Sequence, residues 1–491
     1  MIFKFDSKDY LNPLLENIVI FHTYPNDLYL SWVLEFSSEI NQLNKGANLK
    51  VFDLATKSWH RDLSIFAFVK RIIIRTNKNS EKILSYFSNH LNFKFNPIKN
   101  SRINFRFMIK VLVTLLKCKN ANDWLCQSFL PLALLRSVHS SISNYLGTIY
   151  YSPRKYAFRM LIRAISYQNA YQQAKYTLSQ NSTNLVVVCN GRLPNSAGAA
   201  QAAKDLKLKT VFLERGGTPG MLNVFDDSPH SFESRYRSCL ELWDDNENES
   251  ELREIIAKTY IELRGNFDPI AGKSWTDKMN VKFDLGLLPK GTNKLCTFYT
   301  STELEFAVYK DSENDIDFKN QREAFDALRK LLPKNWCIVI RRHPTGNKKA
   351  RKDPEKDLWL NVNKNENTVV IDADSPIDSY DLAQKSDLVA HFNSSIGPEI
   401  IYMQKVPVLT LGPTYWESSG FDRTVNFENL LHKLKSEPVI PNIDKALRWG
   451  FYSAVSGKPF KIISWKNGRA FYENRPLFGR QIKKVLKKNE N

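Results

Sequence analysis

A basic motif with a histidine directly follows an apolar stretch in the second half of the chain. Residues 336–340 are apolar and β-branched, which is typical of a buried strand, and Arg341, Arg342, His343 and Pro344 come next. Two guanidiniums can hold a phosphate bidentately, and an imidazole beside them could stabilise or protonate a departing phosphate. The motif therefore favours an anion site at a strand end, although a basic surface loop would show the same residues.

A pair of serines opens a predicted helix after another apolar strand, 388–391. Ser394 and Ser395 could bind a phosphate together with the backbone N–H groups of the helix N-terminus, and Gly397 lies in the first turn. Glu399 follows and could accept hydrogen bonds from ribose hydroxyls. The same residues also fit a simple N-cap followed by an acid that favours the helix dipole.

A third hydroxyl-rich turn, Ser301 and Thr302, follows the predicted strand 295–299. Carboxyl ends of parallel strands meet at one edge of a sheet, so this turn should face the same edge as the serine pair. A helix start of the capping-box type is the alternative interpretation. Together the three turns predict a binding site built from strand ends.

A carboxylate ends a predicted strand in the first half of the chain. Glu214 closes strand 209–214, and Arg215 and Gly216 follow, where a glycine permits a sharp turn and the close approach of a ligand. Facing a cleft, Glu214 could act as a general base or as a nucleophile. Other polar residues of this half are candidates for acceptor binding, although ordinary loops also explain them: Asn190, Arg192, Asp227 and His230.

Strands and helices alternate along most of the chain and should position these motifs. Strand 185–189, helix 197–204 and strand 209–214 form a parallel βαβ unit, and the alternation restarts at residue 295. This predicts an α/β fold of doubly wound parallel sheets with helices on both faces. We expect a linker near 270–292. The predicted segments are an N-terminal Rossmann-like acceptor domain with helical insertions (1–275), a C-terminal Rossmann-like donor domain (290–440), and C-terminal helices with a basic tail that could cross back to the first domain (441–491).

Residues 61–180 carry mostly helical periodicity with many aromatic and basic residues. The most apolar pieces, 65–75 and 107–113, fit core helices. An amphipathic basic surface that rests on anionic lipid is the second interpretation of the same residues.

In combination, the motifs resemble those of a known enzyme group. The sequences Arg342-His343-Pro344 and Ser394-Ser395, with the aromatic-then-glycine stretch that begins at Tyr415, look like the donor half of bacterial capsule polysaccharide transferases. The "HP" and "SS" motifs are those of enzymes that use CMP-activated acidic sugars: bacterial sialyltransferases, polysialyltransferases and capsule-type Kdo transferases. The elements that look like the group's "NGR" and acid-x-Gly motifs are Asn190-Gly191-Arg192 and Glu214-Arg215-Gly216. The resemblance covers residues 185–425 and implies the GT-B arrangement, in which two Rossmann-like domains face each other across a cleft.

The resemblance also implies roles for individual residues. Ser394 and Ser395 would hold the CMP phosphate with His343, which would assist its departure, and Glu399 would bind the ribose. Glu214 would be the acid-x-Gly carboxylate, which is the general base in sialyltransferase-like enzymes, whereas in retaining Kdo-type enzymes an acid of this region is thought to be a nucleophile. The related families more often carry an acidic pair before the glycine, so the stereochemical outcome stays open. The full predicted sets are Glu214 and His343 for catalysis; Arg341, Arg342, His343, Pro344, Ser394, Ser395, Gly397, Glu399, Ser301, Thr302 and Tyr415 for the donor; and Asn190, Arg192, Arg215, Gly216, Asp227 and His230 for the acceptor.

The charge balance indicates an anionic partner. The 491 residues include 70 lysines and arginines against 51 acids, a formal net charge of +19. An anionic membrane face or an acidic, lipid-linked glycan fits this charge. The charge would also suit a noncatalytic nucleic-acid-binding protein, but no zinc finger and no Gly-x-Gly aromatic signature supports that function, so no nucleic acid is expected as a partner. A composition that is 43% hydrophobic and 25% charged excludes a disordered, collagen-like or coiled-coil chain.

The sequence also indicates where the protein is located and whether it needs a cofactor. None of the six cysteines lies in a CxxC or zinc pattern, so they are expected to be reduced thiols of a cytosolic protein. The N-terminus shows no signal-peptide pattern, and no window reaches about 18 apolar residues. We therefore expect a cytoplasmic protein that contacts the inner face of the cytoplasmic membrane peripherally. We expect no Asp-x-Asp metal site, and protein cations could replace Mg²⁺ beside a single phosphate, so no metal or cofactor is expected.

The sequence thus predicts a glycosyltransferase that moves Kdo or a related keto-acid sugar from a CMP-activated donor to a surface glycan of the capsule, O-antigen or lipopolysaccharide type. Two alternatives stay open. One is a GT-B glycosyltransferase that uses a UDP- or GDP-sugar, and the other is a CDP-glycerol-type phosphotransferase.

Overall fold

The computed structural model describes most of the chain, in several ranges. These are 16–24, 26–54, 78–97, 104–218, 220–266, 279–301, 318, 320–344, 359, 362, 367–412, 414–416, 427–435, 442–466 and 469–477. The predicted apolar piece 65–75, Thr302, part of the linker near 270–292 and the basic tail lie outside the described residues. The chain divides into two compact units. The described residues of 16–145, 150–229 and 457–477 form the N-terminal unit, and those of 146–149 and 230–456 form the C-terminal unit.

The first six strands belong to the N-terminal unit. They are β1 (Asn17–His22), β2 (Asn48–Asp53), β3 (Lys94–Pro97), β4 (Leu185–Cys189), β5 (Thr210–Arg215) and β6 (Met221–Phe225). The first five are parallel in the order β3-β2-β1-β4-β5, which is the strand order of a Rossmann fold, and β6 pairs antiparallel with β5. Strands β3 and β6 are short and lie towards the edges of the sheet.

Helices cover both faces of this sheet. They are α1 (Asp27–Leu43), α2 (Lys78–His90), α3 (Phe105–Lys117), α4 (Ala121–Leu125), α5 (Leu132–Leu146), α6 (Ala157–Ser179) and α7 (Pro194–Asp205). Alternate residues of β1 point to opposite faces, so Ile20 packs with Trp32 of α1 while Phe21 packs with Ala202 of α7. Helix α7 consists of small residues because it lies very close to α6. A Cβ on Gly198 would come within 2.5 Å of the Tyr167 carbonyl oxygen.

The C-terminal unit has a second Rossmann-like sheet that is entirely parallel. Its strands are β7 (Lys294–Tyr299), β8 (Trp336–Arg341), β9 (Thr368–Ile371), β10 (Leu388–His391) and β11 (Val408–Thr410), in the order β9-β8-β7-β10-β11. Its helices are α8 (Phe232–Asp244), α9 (Ser250–Gly265), α10 (Gln321–Leu331), α11 (Ser379–Gln384), α12 (Ile396–Gln404), α13 (Phe427–Lys435) and α14 (Ile443–Val455). The predicted α/β fold with two Rossmann-like halves is confirmed.

The unit boundary differs from the one expected at residue 275. It lies between Pro229 and His230, because α8 and α9 pack against α14 in the C-terminal unit. The contact between α9 and α14 is close: a Cβ on Gly450 would come within 2.8 Å of the Ala257 carbonyl oxygen, and Ile261 is fully buried. The apolar side of α9 therefore assigns residues 230–265 to the second unit.

The last described segment returns to the N-terminal unit as strands. After α14 come β12 (Lys458–Pro459), β13 (Ser464–Lys466), β14 (Arg469–Tyr472) and β15 (Arg475–Pro476). β12 extends the first sheet by pairing antiparallel with β6, and the other three form a small sheet of their own. Helices expected over 441–491 are thus limited, among the described residues, to α14.

A buried carboxylate holds this returning segment. Glu35 lies in the middle of α1, and its Oε1 accepts the backbone N–H groups of Ile462 and Ile463 at 2.9 and 2.6 Å, while its Oε2 accepts that of Lys461 at 2.9 Å. Burial raises the pKa of Glu35, and the three N–H donors oppose that shift. One helical turn on, Glu39 forms an ion pair with Lys458. One side of α1 therefore binds the segment that closes the unit.

Replacing Glu35 with alanine should destabilise the N-terminal unit. The substitution leaves the backbone donors of the returning segment without their acceptor, so the free energy of unfolding should fall by about 2–3 kcal/mol. Urea unfolding followed by tryptophan fluorescence measures the change. The matched control is Lys82→Ala on α2 of the same unit, because the Lys82 side chain is exposed and the substitution should change stability by less than about 0.5 kcal/mol. Equal effects of both substitutions would contradict the assignment.

Among the residues that the structure describes, no helix combines the length and the hydropathy needed to cross a membrane.

Candidate functional site

A pocket opens at the carboxyl ends of β7, β8 and β10 in the C-terminal unit. In the order β9-β8-β7-β10-β11, connections leave in opposite directions on the two sides of the β7–β10 pair, and ligands of such sheets bind at this switch point. The pocket holds about 520 Å³ of space, the open solvent at its mouth included. Its lining residues are Arg264, Tyr299, Thr300, Arg341, Arg342, His343, Pro344, Ser379, Tyr380, Ser394, Ser395, Ile396 and Glu399.

Arg341 is buried in the wall of the pocket, where its guanidinium binds a loop. Nη1 donates to the Asp372 carbonyl at 2.6 Å, and Nη2 donates to the carbonyls of Ser375 and Ile377 at 3.1 and 3.3 Å. Nε reaches the Ser379 hydroxyl at 3.4 Å. Burial lowers the pKa of this guanidinium. Its donors are therefore engaged with the loop that leads into α11, rather than directed at an anion.

Arg342 and His343 continue the same strand end. Arg342 Nη1 forms an ion pair with Asp372 Oδ1 at 2.7 Å, and only about 5% of its side chain is exposed. The His343 backbone N–H donates to Thr300 Oγ1 at 2.8 Å, which joins the ends of β8 and β7. Both side chains line the pocket, next to Pro344. The structure thus brings the predicted basic motif to the switch point, where Thr300, the residue before Ser301 in the predicted hydroxyl-rich turn, also lines the pocket.

A buried histidine organises the serine pair. His391 ends β10 and is 1% exposed, and its Nδ1 accepts the Ser394 backbone N–H at 3.2 Å. Its Nε2 lies 3.2 Å from Thr410 Oγ1. Because Nδ1 is an acceptor, the ring is neutral with its hydrogen on Nε2. Burial lowers the pKa of His391 to about 3. Between the two residues, Asn393 adopts a left-handed conformation with φ of 54° that asparagine tolerates, and the chain turns there into α12.

The hydroxyl of Ser395 is left available by the helix that it begins. Ser395 is the N-cap of α12, yet its side chain makes no capping hydrogen bond, and the residue is exposed at the pocket. This geometry contradicts the simple N-cap interpretation. Gly397 has a packing role instead, because a Cβ there would come within 2.3 Å of His391 Nε2, and its N–H bonds to the Ser394 carbonyl. Gly397 is not among the described residues that line the pocket.

Glu399 is held by two residues that the sequence did not predict. Arg264, near the end of α9, donates from Nε and Nη2 to Glu399 Oε1 at 2.9 Å each. The Tyr380 hydroxyl of α11 donates to Oε2 at 2.7 Å. The Glu399 charge raises the pKa of Arg264, and burial followed by the Glu399 charge raises the pKa of Tyr380. The carboxylate is therefore 2% exposed and fixed in orientation at the pocket.

Two other predicted donor residues do not line the pocket as described. Ser301 is buried, and its N–H donates to Gln321 Oε1 at 3.1 Å. Tyr415 packs among aromatic residues on α14, where its hydroxyl accepts the Trp449 Nε1–H at 3.1 Å. A role of either residue in donor binding stays a prediction.

The predicted acceptor residues cluster in part in the N-terminal unit. Asn190 has a left-handed φ of 66° after β4, and its Nδ2 donates to Glu214 Oε2 at 2.5 Å. Glu214 Oε1 accepts the Arg215 N–H at 3.0 Å. Arg192 is buried nearby. Burial raises the pKa of Tyr29; the Glu214 charge adds to this rise and the Arg192 charge opposes it, so both charges lie near the same tyrosine. Asn190, Arg192 and Glu214 therefore form one polar cluster at the carboxyl ends of β4 and β5.

The remaining members of that set have separate surroundings. Gly216 bonds through its N–H to the Met221 carbonyl and closes the β5–β6 hairpin. Asp227 is exposed in the N-terminal unit, whereas His230 is buried in the C-terminal unit. The structure thus places these two residues in different units.

A second buried polar group holds the neighbouring strand ends of the first sheet, and the sequence analysis missed it. His22 Nδ1 lies 2.9 Å from Asp53 Oδ1, with both side chains at most 1% exposed. Asn195 of α7 donates from Nδ2 to the carbonyls of Thr23 and Leu54, at 3.2 and 3.0 Å. The ends of β1 and β2 are therefore fixed by side chains.

The pocket of the C-terminal unit can bind an anion next to a polyhydroxyl group. Arg342 supplies a guanidinium, α12 supplies a helix N-terminus with its positive dipole end, and His343 supplies a titratable ring. Glu399 supplies a carboxylate that accepts hydrogen bonds. Among the described residues, no group of three or more His, Cys, Asp or Glu side chains is arranged to hold a metal ion.

Comparison with known proteins adds little to this description. The chain matches no model of a protein family and no curated protein. It is similar to several solved structures, but with low sequence identity and low TM-scores. A UDP-GlcNAc 2-epimerase from Neisseria meningitidis bound to UDP-GlcNAc is 12% identical, with 91% of this chain and 96% of that chain covered and a TM-score of 0.26. The Anabaena protein HepE in complex with UDP and glucose is 10% identical (89% and 94% covered, TM-score 0.22), and a spinosyn rhamnosyltransferase is 10% identical (90% and 97%, 0.24). Structural similarities with TM-scores this low indicate nothing about activity, so the function of the site is inferred from its geometry alone.

His391 should make the stability of the C-terminal unit depend on acid. Its pKa of about 3 lies below the value of about 6.5 that it takes in the unfolded chain, so the unfolded state binds the proton more readily. The stabilisation is complete above pH 6.5 and is lost as the pH falls towards 3. Between pH 7 and pH 4.5, His391 should account for a loss of about 2 kcal/mol in the free energy of unfolding.

Urea unfolding at the two pH values tests this dependence. His391→Asn keeps an oxygen that can accept the Ser394 N–H and removes the titration, so its loss of stability between the two pH values should be smaller than that of the wild type. His90→Asn, at an exposed histidine on α2, is the matched control and should leave the pH dependence unchanged. Identical pH dependence in the wild type and His391→Asn would refute the assignment.

Proposed function

We propose that the protein is a CMP-sugar-dependent glycosyltransferase that transfers Kdo or a related keto-acid sugar to a surface glycan. The observation that carries the proposal is the pocket at the β7–β10 switch point, where the "HP" and "SS" motifs converge with Glu399. These motifs lie 50 residues apart in the chain, and their meeting is what a nucleotide-binding site of this type requires.

The donor phosphate would be bound by Arg342, the N-terminus of α12 and the hydroxyls of Ser394 and Ser395. Ser395 supports this role because its side chain is not used for capping. A guanidinium and oriented N–H groups stabilise the charge that develops on the departing CMP, since they require no reorganisation during the reaction. His343 would donate a hydrogen bond or a proton to the same phosphate. A single phosphate needs no divalent cation when protein cations neutralise it, so we propose a metal-independent reaction.

Arg341 acts indirectly in this proposal. Its guanidinium is spent on the carbonyls of the loop from Asp372 to Ile377, so it positions that loop instead of binding the donor. The loop in turn carries Asp372, which orients Arg342.

Glu399 would bind the ribose of the donor. A carboxylate offers about four lone-pair directions, of which Arg264 takes two at Oε1 and Tyr380 takes one at Oε2. Acceptor capacity therefore remains for one ribose hydroxyl at Oε2, and the two partners keep the carboxylate in place.

Glu214 would supply the reacting carboxylate from the N-terminal unit. In the transfer, an acceptor hydroxyl oxygen forms a bond to the anomeric carbon, the bond from that carbon to the phosphate oxygen breaks, and CMP leaves with the electron pair. As general base, Glu214 takes the acceptor proton. As nucleophile, it displaces CMP and bonds to the anomeric carbon itself, and the acceptor oxygen then breaks that bond while its proton passes to the released CMP. Asn190 orients the carboxylate through Oε2 in either case.

We further propose a cytoplasmic enzyme whose glycan acceptor is lipid-linked, at an anionic membrane.

Nucleotide binding should distinguish this donor from the alternatives. CMP should raise the thermal unfolding midpoint, because a ligand that binds only the native state stabilises it. UDP, GDP and CDP-glycerol should have smaller effects at equal concentration. His343→Ala and Ser395→Ala should weaken the CMP shift, and Thr292→Ala, outside the pocket, should not. A shift by UDP or GDP with none by CMP would favour the UDP/GDP-sugar alternative, and a shift by CDP-glycerol alone would favour the phosphotransferase.

Glu214→Gln should separate chemistry from donor binding. The amide has nearly the same shape but cannot take a proton or attack carbon, so transfer from a CMP-sugar should fall by at least about a hundredfold while the CMP shift is retained. Transfer is measured as CMP release that depends on the acceptor glycan. Glu233→Gln, in the first turn of α8, is the control for the loss of one carboxylate. Full turnover of Glu214→Gln would remove Glu214 from the reaction.

A further inference from the structure

We propose that the outer side of α3 docks on the surface of an anionic lipid bilayer. The inference locates the membrane contact that the proposed function contains, but it does not depend on the transfer reaction. It starts from an exposed apolar stripe on this helix, made of Phe105, Ile109, Leu112, Val113 and Leu116.

The stripe is continuous and lies on one side of the helix. With about 100° between successive residues, its five members fall within an arc of about 100°. Phe105 is 70% exposed and Ile109 is 63% exposed. The opposite side of α3, with Val111 and Leu115, is buried where α3 packs on α6. The helix is therefore apolar on two sides, and only one of them is needed to build the unit.

A row of cations borders the apolar stripe. Arg106, Lys117 and Lys110 follow the stripe around the helix, in the next arc of about 40°, and all three are exposed. Lys110 Nζ donates to the Phe129 carbonyl at 3.1 Å and lies 5.0 Å from the centre of the Phe129 ring. Phe129 is itself 49% exposed, so its ring extends the apolar surface beyond the cations.

An anionic bilayer matches both parts of this surface. Apolar side chains of an interfacial helix enter the boundary between headgroups and acyl chains, while the basic residues beside them meet anionic headgroups. Contiguous exposed apolar patches are uncommon on soluble proteins and mark interaction sites. The formal charge of +19 for the whole chain favours the same partner. A protein partner or a second copy could cover the stripe, but the row of three cations has its complement in headgroup phosphates.

Sedimentation with vesicles tests the proposal on the full chain. We expect strong binding to vesicles of phosphatidylcholine mixed with phosphatidylglycerol, and weak binding to phosphatidylcholine alone. The apolar variant Ile109→Glu with Leu116→Glu should lower the partition coefficient at least about tenfold. The charge variant Arg106→Gln with Lys117→Gln should lower it about fivefold for each cation removed, and only on anionic vesicles.

A matched control separates the surface from general hydrophobicity. Ile255→Glu replaces an equally apolar residue that is 51% exposed on α9, and it should bind vesicles like the wild type. Circular dichroism and the CMP shift verify that each variant is folded. The CMP shift also separates this test from the test of the reaction. If the protein bound vesicles but showed no CMP shift, only the proposed function would be overturned. The docking proposal is overturned if the wild type binds neither vesicle or if the α3 variants bind like the wild type. It is equally overturned if light scattering shows a dimer that only the α3 variants dissociate.

Discussion

The pocket of the C-terminal unit depends on one buried cation. Arg341 is 2% exposed, and a guanidinium in that position must have its N–H donors satisfied, since burial without partners would cost several kcal/mol. Three backbone carbonyls between Asp372 and Ile377 satisfy it and are thereby fixed against the end of β8. The fixed loop presents Asp372 to Arg342 and leads into α11, whose Tyr380 binds Glu399. Arg341 thus places three residues that line the pocket: Tyr380 through the loop, Arg342 through Asp372, and Glu399 through Tyr380. Its own donors are bound to backbone carbonyls.

Both units turn the chain at the sheet edge in the same way, with an asparagine in a left-handed conformation. Each has a parallel core in the Rossmann order, and in each the strand ends beside the switch point carry polar residues in unusual conformations: Asn393 after β10 in one unit, Asn190 after β4 in the other. A left-handed asparagine turns the chain sharply at the sheet edge and brings the following residues over it. In the C-terminal unit these residues are the serines, and in the N-terminal unit Asn190 itself binds the Glu214 carboxylate.

Much of the fold could be predicted, because strands that are buried on both faces form continuous apolar runs, and the residues after them must gather at one edge. This reasoning located Arg342, His343, Ser394 and Ser395 correctly at the pocket. It missed Arg264, which is separated from Glu399 by 135 residues and lies on a helix that carries no recognisable motif. Gly397 is required by the packing of His391, and such a glycine has the same sequence signature as one required by a phosphate, so its role in donor binding stays a prediction. Short edge strands such as β3 have only four residues, too few for their polar and apolar alternation to be told from that of a loop.

The carboxylate of Glu35 binds backbone groups that are 426 to 428 residues further along the chain. On the ribosome, α1 therefore emerges with a buried acid whose partners do not yet exist, and the N-terminal unit cannot be completed until almost the whole chain has been made. The C-terminal unit, by contrast, is nearly contiguous and has all its strands and helices once residue 456 has left the exit tunnel. The half of the protein that is synthesised first is thus the half that finishes last, and during that interval it must be kept from pairing its unfinished sheet edge at β6 with other chains.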